Sequence, residues 1–503
     1  MSKLIRLGNW IFVLFFYLVC IVALKNMISE SYLAAVFLFP VLYILWFLYR
    51  KYKDKKMDSR VDKILMKYKV PIWCGLQFFS AVLMVVMTVK LRENFTWDWG
   101  KLISTAVTKV LTGEWEAMEY YSRYPNNQAW LLCLTVYFKL VQWIIPVVKE
   151  GTFYTAAILL SIFFMQITLL LVYQTARLLF SEGRAFLVGV IGIICLPFYL
   201  YAQFAYTDTV SLMMVILLTY IYLKMKGGGV KRKGHCILFG LLLIVLSVFI
   251  FHIKILCFIV VIAMILDSIL DCNDYRKIIF VLIGCFALWG AGTKITDALI
   301  ERELSVTDEL AYQLEFPWTH WIMMGMNHYG GYLQEDVDFS MAAGNYEEKR
   351  TAEIQQLKQR IIDYGMRGTL NHLFYTKLSR TWGNSCLAGD DYCHRKPIHE
   401  DSLWERLFGV GEDLHWIVLP YTWFFHILMI FGMFFEGVYS LMDEANSRKY
   451  IILRYTMIGV GIFLTIWECN SRYLLPFLPI MILLSARGWE TLLVKISDKR
   501  RLR

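Results

Sequence analysis

Long apolar blocks alternate with polar stretches along the whole chain. Apolar runs stand at about 9–24, 32–49, 71–90, 129–147, 153–176, 185–205, 209–224, 236–252, 255–270, 278–293, 416–439, 451–467 and 473–486. A membrane-spanning helix needs roughly 20 mostly apolar residues, so the pattern predicts an all-α polytopic membrane protein. The first run follows Lys3 and Arg6, as a signal peptide would. It is long and no small-residue cleavage site follows, which predicts a retained anchor. The run 185–205 is interrupted by Gly189, Gly192 and Pro197. It is expected to form two short half-helices, an arrangement tolerated at membrane depth only where it is buried in protein or lines a cavity.

Charge orients these runs. Residues 50–69 hold nine Lys/Arg against three Asp/Glu, 224–235 hold five against none, and 487–503 hold six against two. By the positive-inside rule all three segments, and both termini, are expected to be cytoplasmic. Residues 294–415 run the other way, with twenty acids against twelve bases, and are expected outside together with 91–128. Three runs separate 91–128 from Asp208, which parity also places outside. Splitting 185–205 in two restores an even number of crossings and gives about 13–14 transmembrane helices. The expected organisation is an N-terminal transmembrane hairpin with its basic linker (1–69), a transmembrane core (70–293), a large extracytoplasmic loop domain (294–415), and C-terminal spans with a basic tail (416–503). Within the loop, 346–364 is charged and amphipathic. In 369–380 a stripe of Leu370, Leu373, Phe374 and Leu378 fits either the membrane surface or packing inside the domain.

Composition agrees. The 503 residues are 58% hydrophobic and 18% charged, with mean hydropathy +0.50. Soluble chains average about 45–50% apolar and about 25% charged. A soluble enzyme on a single tether is therefore excluded. The net charge of +10 reads as topology rather than as an affinity for nucleic acid. No GxxxxGK[ST] and no GxGxxG after a strand occurs, so nucleotide chemistry has no motif here. Most of the eleven cysteines lie in or beside apolar runs; Cys386 and Cys393 share the outer loop and are a candidate pair. Six of the nine histidines lie in that loop, with no HExxH spacing.

The candidate chemistry gathers on the outer face. Asp98 stands between Trp97 and Trp99 directly after a span. Aromatic walls preserve carboxylate basicity, although the two indoles also serve as interfacial anchors. About 25 residues on come Arg123, Tyr124, Pro125, Asn126 and Asn127. Asp208 opens another span, where an N-cap and a fixed functional carboxylate are compatible roles. Lys254 stands at an outer turn between spans; it either snorkels to headgroups or anchors a lipid phosphate. Arg472 has the fork to hold a phosphate, or else pairs locally with Glu468. Pro317, Trp318, Thr319, His320 and Trp321 form an aromatic stretch in the large loop.

These residues carry a resemblance. The chain resembles the GT-C class of polytopic glycosyltransferases, in the group of protein O-mannosyltransferases and lipid A aminoarabinose transferases, and most nearly bacterial members with a Tyr-Pro-Asn-Asn first loop. Asp98 with Tyr124-Pro125-Asn126-Asn127, Thr207-Asp208, Lys254, and Arg472-Tyr473 with Pro476 and Pro479 stand in the order of that group's motifs over roughly 70–490. Lys254 is followed by Ile-Leu where relatives often have Gly-Pro, and Asp98 lacks a neighbouring Glu. The resemblance implies a GT-C-like fold and inverting sugar transfer at the outer face of the plasma membrane, from a polyprenyl-phosphate-linked donor. The acceptor would be a hydroxyl of an envelope glycan, lipid or protein. It casts Asp98 as general base, and Asp208 as orienting the acceptor or, with Asp98, holding a divalent cation. Lys254, Arg472 and Arg123 would hold the departing phosphate, with Tyr124, Asn126, Asn127, His320 and Glu468 lining the substrate site. A lipid-linked sugar flippase and a non-catalytic scaffold of envelope assembly are the rival classes.

Overall fold

Inside a bilayer each backbone N–H and C=O must be paired within its own segment, which leaves the helix as the local solution for apolar runs of this length. The structure, a computed structural model, describes residues 2–38, 40, 43, 59–146, 149–228, 232–272, 274–304 and 306–499. Its helices are α1 (Ser2–Glu30), α2 (Ser59–Lys90), α3 (Trp97–Thr112), α4 (Met118–Arg123), α5 (Gln128–Ile144), α6 (Glu150–Leu179), α7 (Glu182–Ile194), α8 (Pro197–Leu200), α9 (Thr207–Lys226), α10 (Lys233–Ile253), α11 (Ile259–Asp271) and α12 (Tyr275–Leu304). There follow α13 (Asp308–Leu314), α14 (Trp318–Gly325), α15 (Gln334–Ala342), α16 (Tyr346–Asn371), α17 (Lys377–Trp382), α18 (Gly389–Tyr392), α19 (Leu403–Phe408), α20 (His415–Met442), α21 (Glu444–Ser447), α22 (Ile451–Ile466) and α23 (Leu478–Lys499). Among the described residues no strand forms; one isolated antiparallel bridge joins Glu93 to Pro397.

Nine helices among the described residues are long and apolar enough to cross a membrane, and α7 with α8 makes a tenth, bent by 49°. The bend falls at the break expected from Pro197. The runs expected over 129–147 and 255–270 are helical as α5 and α11, at 17 and 13 residues. Half of the run 32–49 and the first half of the basic linker 50–69 lie outside the described residues. The apolar run at 278–293 extends as helix to Leu304, so the loop region begins about ten residues later than the hydropathy suggests.

Helices α9, α22 and α23 form the interior, whereas α10 and α12 turn bare apolar faces outward, with Phe280 and Phe286 more than two-thirds exposed. These exposed faces are where lipid belongs. The broadest helix contact is α20 on α23, and small residues permit it. A Cβ on Gly432 would fall 2.7 Å from the Ser485 backbone, and one on Gly488 would collide with the Gly432 carbonyl of α20. Close backbone approach through small residues is a principal source of helix association in lipid. Helix α1 packs on α20, α22 and α17; its Phe12, Phe16 and Ala23 are buried and Phe16 meets Trp382 edge-on.

The molecule has two charged poles. At one, Lys226 bonds Asp267 at 2.7 Å and Asp271 at 2.9 Å, and Arg177 meets Glu182 at 3.1 Å. The described parts of the basic segments 224–235 and 487–503 end there. Asp98, Asp208, Lys254 and Arg472 lie at the other pole, beneath the short helices α13 to α19. The stripe at 369–380 divides its contacts. It crosses a π-helical turn (His372–Thr376), which leaves Leu370 and Phe374 exposed and drives Leu378 into the core.

One charge pair is sealed inside the bundle. Arg454 of α22 donates to Glu436 of α20 at 2.6 Å, and neither side chain reaches solvent. Removing one member of such a pair costs about 3–5 kcal/mol, whereas replacing both with apolar groups is close to neutral. Arg454→Met should therefore destabilise the protein by about 3–5 kcal/mol, and adding Glu436→Leu should recover most of the loss. Unfolding midpoints of the intact protein in detergent check this; an equal loss in the double variant would refute the pairing argument.

Candidate active site

Asp98 occupies the first turn of α3, where the helix N-terminus favours a carboxylate. The entry to that helix is tight. Trp97 adopts φ +40°, a left-handed conformation unusual for a bulky residue, and a Cβ on residue 100 would lie 2.7 Å from the Phe95 carbonyl carbon. Gly100 therefore admits the turn, and the indoles hold it. Trp99 is buried, and Trp97 packs among Phe204, Tyr206 and Tyr392. Tyr120 donates its hydroxyl to Asp98 Oδ1 at 2.6 Å, and Tyr206 donates to Oδ2 at 3.1 Å. Burial, reinforced by Asp98 itself, pushes both phenols up, so they stay protonated donors. Pro125 starts a 3₁₀ turn (Pro125–Asn127) whose last residue is buried, and Asn127 Nδ2 donates to the Tyr120 hydroxyl at 2.9 Å. The Tyr-Pro-Asn-Asn sequence is thus a bracket for the phenols around Asp98. Asn126 is exposed and joins the network only at its edge, donating its Nδ2 to Asn127 Oδ1 at 3.5 Å.

The second carboxylate sits in a different environment. Asp208 lies in the first turn of α9, 1% exposed, with Tyr206 rather than Asp208 as the capping residue. Lys254 ends α10 and, instead of snorkelling outward, turns its amine to Asp208 Oδ1 at 2.5 Å. Arg472 Nε lies 3.5 Å from Asp208 Oδ2. Its guanidinium is enclosed by four rings: Tyr392 at 4.7 Å, Trp97 at 4.8 Å, Tyr206 at 5.4 Å and Tyr473 at 5.7 Å. A planar, weakly hydrated cation suits such a cage. Lys254 stands 5.0 Å from the centre of the Tyr473 ring. Tyr206 thus joins the two acids: its hydroxyl serves Asp98 and its ring serves the arginine facing Asp208.

Other expected site residues lie nearby in different roles. Arg472 and Glu468 do not form the local pair; Glu468 is buried and accepts the Tyr473 hydroxyl at 3.2 Å, and burial raises its carboxyl. Arg123 makes no hydrogen bond or ion pair with Asp98, Asp208, Lys254 or Arg472 among the described residues. Burial and then the Arg123 charge pull the Lys349 amine of α16 down, and the Arg123 backbone carbonyl receives the Phe316 amide at 3.5 Å. Tyr124 stacks edge-on with Phe316 at 5.5 Å, docking the segment between α4 and α5 on the region between α12 and α20. His320 is fully buried there, stacked on Phe316 at 4.1 Å and bonded through Nδ1 to Ser340 at 2.7 Å. It belongs to the packing of that region rather than to the Asp98 cluster. Cys386 and Cys393 are both free thiols; Cys393 receives a hydrogen bond from Gln203 and donates to the Leu200 carbonyl, which holds it in place without a disulfide.

A divalent cation does not fit the two acids as arranged. Each Asp98 oxygen accepts a phenol, and Asp208 already faces two cations that would repel a third. Among the described residues no group of three His, Cys, Asp or Glu side chains converges as metal ligands would.

Three contributors were not visible in the sequence. Tyr392, from α18, closes the cage over Arg472. Lys377 of α17 is buried and donates to the Trp467 carbonyl at 2.5 Å, tying down the turn that carries Glu468 and Arg472; burial pulls its amine down to about 8. Glu93 is fully buried five residues before Asp98 and accepts the Lys396 amide at 3.0 Å, while Asn94 and Ile398 complete the backbone pairing at 2.8 Å each.

Burial pushes Glu93 up to about 7, against the opposing hydrogen bond from Lys396. A carboxyl raised in the folded state holds its proton more tightly there. Its contribution is full below the ordinary pKa of about 4.3 and is lost as pH rises through about 7. The junction of 92–94 with 396–398 should loosen as pH rises from about 4.3 to about 7. Amide exchange at Asn94 and Ile398, corrected for its intrinsic pH dependence, checks this. Glu93→Gln should flatten the profile; an unchanged profile would remove Glu93 as the cause.

No curated protein matches the sequence. Among solved structures, the archaeal oligosaccharyltransferase AglB from Archaeoglobus fulgidus, in complex with an inhibitory peptide and a dolichol-phosphate, is similar over 86% of this chain and 52% of its own, with 11% identity and a TM-score of 0.45. The Archaeoglobus fulgidus oligosaccharyltransferase tethered by a disulfide to an acceptor peptide containing the NVT sequon is similar over 87% and 51%, with 11% identity and a TM-score of 0.44. The chain spans about half the length of either. Residues 2–492 match the profile of a family described as "conserved hypothetical integral membrane protein", and the chain belongs to that family.

Proposed function

We propose that this protein is a GT-C-type membrane glycosyltransferase that moves a sugar from a polyprenyl-phosphate-linked donor to an acceptor hydroxyl, with inversion, at the outer face of the plasma membrane. The observation that carries the reading is the joining of an accessible carboxylate, through Tyr206, to Arg472, which shares Asp208 with Lys254. Asp98 is half-buried, and a carboxylate has about four acceptor positions. The two phenols use two of them, which leaves room for an acceptor hydroxyl. In the proposed step Asp98 takes the hydroxyl proton as the oxygen attacks the anomeric carbon. The carbon–oxygen bond to phosphate breaks from the opposite face, and its electron pair leaves on the phosphate oxygen. Arg472 and Lys254 neutralise that developing charge in a site already aimed at it. Asp208 is a positioning residue: it keeps two like charges together until the phosphate arrives.

The two poles support the sidedness. The described parts of the basic segments 224–235 and 487–503 lie at the pole away from Asp98, which by the positive-inside rule supports cytoplasmic termini and acids outside. A lipid carrier, unlike a nucleotide sugar, delivers a donor to that side. The short helices α13 to α19 form the extracytoplasmic loop domain on this reading, with the acceptor entering between them and α3.

Asp98→Asn should leave a folded, inserted protein whose transfer falls by about 10²–10⁴-fold, the usual contribution of a positioned base. Proteoliposomes given a radiolabelled polyprenyl-phospho-sugar check it. Near-normal turnover would sink the assignment, and donor that only changes leaflet would point to a flippase. In the same assay Arg472→Lys, which keeps the charge but loses the planar stack and fork, should lower kcat/KM for the donor by about tenfold or more.

A further inference from the structure

The pole away from Asp98 holds a cavity of about 430 Å³ where α6 ends, α7 begins, and α20, α21 and α23 meet. Its polar lining includes Ser181, Arg184, Tyr439, Lys449, Arg487 and Glu490. Three cations therefore face one carboxylate. Glu490 is shared: it pairs with Arg184 and accepts from Arg487 at 2.9 Å. Lys449 has no carboxylate partner among the described residues and rests on the Leu179 carbonyl at 2.6 Å. Arg487 is held between the Tyr439 and Tyr450 rings, at 5.0 and 5.2 Å, and its buried Nε–H has no hydrogen-bond partner.

Helix α7 adds to this field. Its N-terminus opens on the cavity at Ser181, whose hydroxyl makes no capping bond to the helix. The positive end of a helix, an arginine fork and a lysine whose two remaining N–H donors are open are the donors that a phosphate oxyanion uses. The carbonyl that would oppose an anion, Leu179, is already covered by Lys449 and by the Tyr450 hydroxyl at 3.1 Å.

We propose that this cavity binds a phosphate group, delivered on a lipid headgroup or as a free phosphate anion, at the pole opposite the acidic cluster. Arg184 and Lys449 are exposed arms of the site, and Arg487 is its fixed floor. The binding is independent of the transferase reading.

The full-length protein is tested in two arms. In mixed micelles, native mass spectrometry compares retained phosphatidylglycerol with phosphatidylcholine. In lipid-stripped detergent, inorganic phosphate is compared with chloride at equal ionic strength by the unfolding midpoint. The expected result is selective retention of phosphatidylglycerol, a rise in the midpoint with phosphate, or both. Retention in the first arm identifies a headgroup, and a shift in the second alone identifies a free anion. Arg184→Gln with Lys449→Gln should cut the preference by about tenfold or more, Lys449→Arg should keep it, and Glu490→Gln, which frees both guanidiniums, should strengthen it. No preference in either arm, or a double variant that binds like the parent, overturns the proposal. So does a Glu490→Gln variant that folds normally and binds no better.

Discussion

A charge taken out of water must find its counter-charge close by, and in this protein that requirement is met most sharply at Asp208. The carboxylate is almost wholly buried, and among the described residues Lys254 and Arg472 are the cations that neutralise it. Arg472 in turn needs flat surfaces to replace its hydration, and Trp97, Tyr206, Tyr392 and Tyr473 supply them. Two of those rings also set Asp98: Trp97 precedes it in the chain and Tyr206 donates to it. Neutralising one buried acid thus fixes the position of the other. The same rule recurs at Arg454 with Glu436, where no open surface remains and the pair serves only to join helices.

The region between α12 and α20 acts as a frame for that cluster. It reaches the transmembrane helices at several fixed points: Lys377 under the Trp467 carbonyl, Tyr392 over Arg472, Trp321 stacked on Trp467 at 6.4 Å, and the pairing of 92–94 with 396–398. Each contact lands within a few residues of Asp98 or Arg472. The frame has its own small core around Phe316, Met324 and Val337, and Tyr124 plugs into its edge.

Much of this was readable from the sequence, for reasons that differ by residue. The spans followed from run length, and the break near Pro197 from helix-breaking residues. Asp98, Asp208, Lys254 and Arg472 could be put at one pole because charge in an apolar chain carries topological information. Asn127 was found through its motif, though its job as a bracket for phenols was not. What escaped was contact between distant segments. Nothing local marks Tyr392 or Lys377 as site residues, because each is brought there by the folding of the loop region. His320 and Arg123 misled for the complementary reason: a histidine between two tryptophans and an arginine beside a tyrosine look like site residues, yet packing turns both toward Phe316 and α16. Helix α5 fell short because its apolar run continues past the point where the helix ends, and α11 because the first four residues of its run, Ile255–Phe258, form a 3₁₀ turn before the helix begins.

The pairing at Asp208 also has an order in time. Asp208 and Lys254 are only 46 positions apart. At a synthesis rate of about 5–20 residues per second, the lysine emerges within about 2–10 s of the acid. The buried carboxylate is then never left long without a counter-ion in the nascent bundle. Arg472 follows Asp98 by roughly 370 residues, or about 20–75 s at the same rate. For most of that interval the membrane holds a half-built cluster in which Lys254 alone stabilises Asp208, and the aromatic rings around the future arginine stand open. The cluster closes last, when one late turn carrying Arg472 and Tyr473 meets rings from three earlier segments.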